Sequence, residues 1–303
     1  MIGASTKKKF NQRMRDQLSA YLYIAPFFIL FAVFGFFPMI FTAWVSLHKW
    51  SILGTKTFTG FQNYKFILED PYFWKSLYNT FSIWYISTLP QLFCALILAF
   101  LLNQSLMKGK EFFRISVFLP NITSVVAVAI IFGAIFGQHY GLINYALSFI
   151  GIDPIDFKSS VLGTHLAISS MVMWRWTGYN AIIYLAGLQS IPNDLYEAST
   201  IDGASKSQQF FFITIPLLRP MIIFTIILST IGGMQIFAEP LMFSGTGGGS
   251  QGQGLTLTLL LYEEAFARQA FGYASAIAWM LFFIIVVFSL INLFITRRLQ
   301  SAE

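Results

Sequence analysis

Six apolar runs, each long enough to cross about 30 Å of hydrocarbon as a helix rising about 1.5 Å per residue, constrain this chain more than any other feature. They fall at residues 21–47, 80–102, 115–137, 161–188, 221–243 and 271–296. In lipid every backbone N–H and C=O must be paired within the protein. Uninterrupted runs of this length meet that condition as helices rather than as barrel strands. Composition supports the same reading. Of 303 residues 56% are hydrophobic and only 11% charged, where a soluble domain carries about a quarter. Mean hydropathy is +0.67, and 34 phenylalanines exceed what a water-soluble core of this size can hide. The chain reads as an all-α integral membrane protein with six transmembrane helices, forming one domain over residues 1–303.

Lys and Arg set the expected orientation. Lys7, Lys8, Lys9, Arg13, Arg15, Lys108, Lys110, Arg114, Lys206, Arg219, Arg297 and Arg298 fall on one side of the six spans. Lys49, Lys56, Lys65, Lys75, Lys158 and Arg268 fall on the other. Twelve against six places both termini in the cytosol, with a basic tail at 1–20 and a cytosolic loop at 189–219. The net charge of +6 is therefore assigned to membrane topology and not to nucleic acid. The connection 57–79, "TFTGFQNYKFILEDPYFWKSLYN", reads as a partly helical piece on the outer face. "SGTGGGSQGQG", 244–254, reads as a flexible outer loop. The first apolar run is too long for a signal-peptide core and lacks a small-residue cleavage site, so no secretory signal is expected. Cys94 alone offers no disulfide.

The loop is unusual for such a chain. "EASTIDGASKSQQFFFITIPLLRP", 197–220, places charges, hydroxyls, amides and two prolines between lipid-like runs. Locally it reads as two helices and a turn. Asn193 or Asp194 serves as N-cap with Glu197 in the first turn, and Gly203 ends the short helix at positive φ. A second helix carries Phe210, Phe211, Phe212 and Ile213 until Pro216 and Pro220 break or bend the chain into the fifth span. An ordinary interfacial helix would be rich in Lys and Arg on its polar face, and this segment is not.

"EASTIDGA" followed by "ITIP" resembles the cytoplasmic signature of importer-type ABC transporter permeases through Glu197, Ala198, Gly203, Ile213 and Pro216. Ser199 stands where that pattern has a second Ala, and Ile215 where it has Leu. "YLYIAPFFILFAVFGFFPMIF", "FTGFQNYKFILEDPYFWKSLYNTF" and "GLQSIPNDLYEA" are similar to the maltose-type sugar permeases, so the likeness runs nearly the full chain. The resemblance implies the importer-type permease fold and a coupling helix that docks on a cytoplasmic ATPase. Within "EASTIDGA", Glu197 would be the polar anchor, Ala198 would permit close approach and Gly203 would turn the chain, with Asp202 and Ala204 beside it. It also implies a second homologous permease, two ATPase subunits, an extracytoplasmic sugar-binding protein and a sugar substrate in a bacterial or archaeal cytoplasmic membrane. The end of the outer loop, "GQGLTLTLLLYEEAF", is similar to permeases for cellobiose-like or other short glucosides.

No G-x-x-x-x-G-K-S/T stretch occurs, so no P-loop is expected. No enzyme activity or cofactor is expected of this chain, and ATP with Mg belongs to a partner. "GGSQG" at 248–252 fits the nucleophile-elbow pattern but not its strand–turn–helix setting. His48, His139 and His165 are scattered and Cys94 is single, so no metal site is expected.

Ionisable groups inside spans are functional candidates. Arg175 lies about 20 Å above the cytosolic end of span four, and Glu239 about 27 Å above the start of span five. The offset of about 7 Å lets the two meet, as a structural pair or as joint sugar contacts. Trp174, Tyr179 and Asn180 in "MWRWTGYNA", with Ser229, Gly233 and Gln235 in "STIGGMQIFAEP", add aromatic faces and hydrogen-bonding groups that complement a pyranose. In the resembling permeases this stretch carries Asn where this chain has Gly233, Gln235 and Ile236. Two other classes compete. A self-sufficient secondary sugar transporter would need inverted repeats and midplane carboxylate or histidine relays, and a receptor or scaffold would dock a non-ATPase partner.

Overall fold

The computed structural model describes residues 21–51, 54, 56–103 and 109–300, with side chains as far as Phe294. The basic tail 1–20, Lys108 and the side chains of Arg297 and Arg298 lie outside the described residues.

Helix α1 (Tyr21–Ser46) takes up the first apolar run. It exposes large apolar side chains along almost its whole length, until Val45 and Ser46 become buried. A small cap follows, made of strands β1 (His48–Lys49) and β2 (Thr57–Phe58), paired antiparallel, and helix α2 (Gln62–Glu69). Asn63 Nδ2 donates to the Ser46 and His48 carbonyls at 2.7 and 3.1 Å, and so fastens the cap to the end of α1. The strand pair, with a single bridge between Ser51 and Ala270, departs from an all-helical reading.

Helix α3 (Pro71–Asn103) fuses the second apolar run with the end of the preceding connection. The third run, expected as one span over 115–137, is instead α4 (Lys110–Ile122) and α5 (Val125–Ile135), meeting at 94°. Pro120 removes one ladder hydrogen bond. Thr123 is extended, its hydroxyl donating back to the Leu119 carbonyl at 2.9 Å, a local bond that competes with helix continuation. Helix α6 (Leu142–Ser148) is short, and α7 (Val161–Gln189) covers the fourth apolar run. Ser160 caps α7 by accepting from the Gly163 N–H at 3.0 Å.

After α8 (Asn193–Ile201), α9 (Lys206–Met234) runs straight through Pro216 and Pro220, which do not break the helix. A π-helical turn at Phe210–Thr214 precedes Pro216, and its five-residue bonding accommodates the N–H that proline lacks. The fifth span is therefore displaced from the expected 221–243, beginning at Lys206 and ending at Met234. Beyond a non-helical stretch at 235–237 lies α10 (Ala238–Ser244). Gly232 and Gly233 weaken the helix end, and Pro240 cannot donate to the Ile236 carbonyl. Thr256 Oγ1 donates to that carbonyl instead, at 3.1 Å. Helices α11 (Leu257–Tyr262) and α12 (Phe271–Gln300) complete the chain.

Among the described residues four helices are long and apolar enough to cross a membrane, α1, α3, α9 and α12, or five spans if the bent α4–α5 pair counts as one. Helix α7 is absent from that set because of its polar side chains. Sixteen of its 29 residues are buried, packed against α3, α4 and α9. A helix surrounded by protein can carry Thr164, His165, Ser169 and Asn180, because neighbouring helices satisfy them.

The Gly-rich segment 244–254 is an ordered loop, contrary to its expected flexibility. Asn79 Nδ2 donates to the Gly252 and Leu255 carbonyls at 2.9 and 3.0 Å. His165 Nε2 lies 2.9 Å from the Gln253 carbonyl, and Lys75 Nζ donates to the Gln251 carbonyl. Gly248 has φ +71°, and a Cβ there would lie 2.2 Å from the Leu255 nitrogen. Its glycines thus serve tight packing and left-handed turns.

Candidate functional site

The central feature is a cavity of about 270 Å³ between α3, α7 and α9, with Ile236 at its edge. Helix α3 contributes Thr88 and Gln91, the latter about 18 Å from the Asn103 end and about 30 Å from the Pro71 end, deep within the bundle. Helix α7 turns Val172, Trp176, Tyr179 and Asn180 toward the cavity, as the 3–4 residue spacing of one helix face requires. Trp176 and Tyr179 meet edge to face, centroids 5.7 Å apart at 84°. Helix α9 supplies Ser229, Gly232 and Gly233. Asn180 Nδ2 donates to Ser229 Oγ at 3.3 Å, and one turn along Tyr184 OH lies 2.6 Å from Thr225 Oγ1. These rungs fix α7 against α9.

Gln91 and Thr88 are only 3% and 4% exposed. Gln91 makes no hydrogen bond to any described residue, so its amide is available to whatever enters the cavity. Its amide opens onto the cavity, where it can donate to and accept from the hydroxyls of a guest. Apart from the Tyr179 phenol the lining carries no ionisable group. Aromatic faces with neutral donors and acceptors can hold an uncharged polyol ring.

Of the residues singled out from sequence, Tyr179, Asn180, Ser229 and Gly233 are brought together here. Gly233 acts by its lack of a side chain: a Cβ would fall 2.5 Å from Trp84 Cδ1, so α9 could not approach α3 so closely. Trp174 lies instead in a separate groove with Val117, Phe132 and Gly178. Gln235 borders a crevice against α12. Arg175 and Glu239 do pair, Nη1 to Oε1 at 2.5 Å, with side chains 16% and 6% exposed. They join α7 to α10 one turn from Tyr179, toward the Val161 end, and do not line the cavity. Thr88, Gln91 and Trp176, which the sequence reading does not single out, line the cavity as well. The signal for Gln91 was present as an amide in the middle of an apolar run.

At the opposite end of α7 from the Gly-rich loop, α8 projects from the bundle with no buried residue. Its N-cap is Pro192, so Asn193 and Asp194 are its first residues rather than caps, and Glu197 falls in the second turn. Glu197 and Ala198 are exposed. Gly203 turns the chain with φ +80°. Asp202, Gly203 and Ala204 line an open groove with Gln208, Gln209 and Phe212. Ser205 and Gln208 then form a capping box that starts α9.

Long apolar helices around an internal neutral cavity, with a helical hairpin projecting from one end, define a membrane-embedded permease. The chain belongs to the family of binding-protein-dependent transport system inner membrane components, which it matches over residues 71–301. It is 35% identical over 298 residues to the lactose transport system permease protein LacF of Rhizobium radiobacter, covering 97% of this chain and 99% of that one. It is 32% identical over 286 residues to the trehalose/maltose transport system permease protein MalF of Thermococcus litoralis, covering 94% and 96%. Its fold is similar to a chain of a bacterial alginate ABC transporter solved with an alginate pentasaccharide-bound periplasmic protein. The TM-score is 0.82 at 23% identity, over 95% of this chain and 97% of that one.

Proposed function

We propose that this chain is the permease subunit of an ATP-driven, binding-protein-dependent sugar importer, forming half of the translocation channel. The observation that carries this reading is the neutral cavity between α3, α7 and α9, where Gln91 offers an unpartnered amide beside Trp176, Tyr179, Asn180 and Ser229. Similarity to permeases named for lactose and for trehalose/maltose supports a short saccharide as cargo. Trp174, Gln235 and the Arg175–Glu239 pair then act around the site and not as direct contacts. Glu197, Ala198, Asp202, Gly203 and Ala204 form the surface that docks an ATPase, which binds ATP and Mg. A second permease, two such ATPases and an extracytoplasmic sugar-binding protein complete the assembly in a bacterial or archaeal cytoplasmic membrane.

The six-span layout follows if α1, α3, the bent α4–α5 pair, α7, α9 and α12 each cross once, which leaves both termini cytosolic. Cysteine labelling tests this. In a Cys94→Ser background, cysteine at exposed Ser250 should react with an impermeant maleimide added from outside. Cysteine at exposed Ser207 should react only after permeabilisation. The reverse pattern would overturn the orientation.

The cavity reading is tested by uptake of radiolabelled lactose, maltose, trehalose and cellobiose into proteoliposomes holding the whole transporter and its binding protein. Replacing Gln91 with leucine should reduce uptake of the transported sugar about tenfold or more, the effect of losing a hydrogen-bonding partner at a buried polar site. Uptake at the wild-type rate would remove Gln91 from the site.

A further inference from the structure

Helix α8 has nine residues, none of them buried. A helix this short is not stable alone, and the turn at 202–205 is a single covalent strand about which it could swivel. Its Tyr196 ring packs against the core that contains Leu188, Ile191 and Leu218, and the polar tie to α9 is made by Gln209, at the base of that helix and only 4% exposed. Gln209 Nε2 lies 3.2 Å from the Tyr196 carbonyl, 2.9 Å from Ser199 Oγ and 2.8 Å from Thr200 Oγ1. The Ser199 and Thr200 hydroxyls donate to that same Tyr196 carbonyl at 2.9 and 2.7 Å. Their lone pairs are thereby left facing the amide, whose two N–H groups the three acceptors share. Ser199, the departure from Ala in the family pattern, is one of those acceptors. A second tie joins Tyr196 OH to Thr214 Oγ1 at 2.9 Å.

From Gln209 to Ser229, α9 is continuous for about 30 Å. The Thr225–Tyr184 and Ser229–Asn180 rungs then connect it to the cavity. We propose that Gln209 is a positioning residue that locks the docking helix onto α9, making one rigid lever between the docked ATPase and the cavity. This rests on the reading of α8 as the ATPase-docking element. Without the clamp, only the Tyr196 contacts and the 202–205 turn would carry ATPase motion from α8 to α9, and less of that motion would reach the cavity.

The test uses the whole transporter purified with its ATPase into lipid nanodiscs, with MgATP plus vanadate as the probe, so that no sugar is needed. Leu228 lines the cavity and is 37% exposed, so Leu228→Cys in a Cys94→Ser background reports the cavity through its rate of maleimide labelling. Trapping with MgATP and vanadate should change that rate about fivefold or more in the otherwise wild-type protein, the scale of typical coupling between sites. In Gln209→Leu the ATPase should still co-purify at the same ratio and hydrolyse ATP, while the trapped-to-free ratio of labelling rates falls at least twofold toward one, the remainder being carried by the Tyr196 contacts. Replacing Ser199 with alanine together with Thr200 with valine removes two acceptors from an exposed helix without touching the buried amide. It should cause a smaller loss in the same direction. A wild-type ratio in Gln209→Leu sinks the clamp. So does a loss in Gln209→Leu with none in the acceptor variant, which would mark a packing effect. If Gln209→Leu does not assemble, the acceptor variant decides. If no ATPase co-purifies with the wild-type chain, or trapping leaves its labelling rate unchanged, the docking reading itself fails.

Discussion

Replacing Glu197 with lysine is expected to reduce sugar uptake to background while leaving the protein at its normal level in the membrane. The two halves of this expectation have separate physical grounds. Glu197 is exposed on α8 and makes no hydrogen bond to any described residue, so reversing its charge costs the fold little, within about 0.5 kcal/mol. A docking surface loses far more, because a like-charge or unpaired contact at an interface costs several kcal/mol. Gly203→Val should have a similar outcome for a different reason. With φ +80° and nothing within 4 Å of its missing Cβ, Gly203 has room for a side chain but not the backbone freedom to carry one. The strain re-aims α8 relative to α9. A graded series separates backbone from charge: Gly203→Asn should retain more uptake than Gly203→Val, since Asn tolerates the left-handed conformation and a β-branched residue does not. Membrane level by immunoblot, co-purified ATPase and radiolabelled uptake are read together. Wild-type uptake by Glu197→Lys would exclude the docking role.

The helices that are legible in the sequence are those whose path is simple. α1, α7 and α12 were placed within a few residues because apolar runs with abrupt polar ends fix where a helix can lie in lipid. Apolar composition reports the solvent and not the continuity of the helix. The 94° bend at Thr123–Ser124 and the break at 235–237 depend instead on short local signals: a proline, a hydroxyl bonding back to the chain and a glycine pair. The Gly-rich loop was misjudged because its order comes from Lys75, Asn79 and His165, far away in sequence. The cavity was half legible. Asn180 and Ser229 stand out as polar residues in spans, yet Gln91 carries the same signal and was passed over. Of the two indoles the sequence points to Trp174, whereas it is Trp176 that lines the cavity. Two residues apart on a helix means about 200° of rotation, so Trp174 and Trp176 face nearly opposite ways, and only packing reveals which faces in.

Neither Arg175→Met nor Glu239→Gln should be tolerated alone, and the two together should be better tolerated than either. The pair is nearly buried, Nη1 to Oε1 at 2.5 Å, and bridges α7 to the short α10 that follows the break in the fifth apolar run. Each charge is stable there because the other is present. Breaking a buried pair from one side strands a charge and costs about 3–5 kcal/mol, whereas replacing both members is often close to neutral. Each single variant should therefore show lower membrane level or a lower unfolding midpoint in detergent, and the double variant should recover much of that loss. Transport should not follow stability. Because the pair sits one turn from Tyr179 without lining the cavity, it tethers α10 to α7 beside the site. The double variant should assemble yet take up sugar more slowly, with the maximal rate reduced more than the apparent affinity, since the residues lining the cavity remain in place. If the two single losses of stability simply add, to within about 0.5 kcal/mol, the residues are uncoupled and the tether is wrong. If instead the double variant loses affinity while keeping its maximal rate, Arg175 and Glu239 are sugar contacts, and the cavity extends past the boundary drawn by Tyr179.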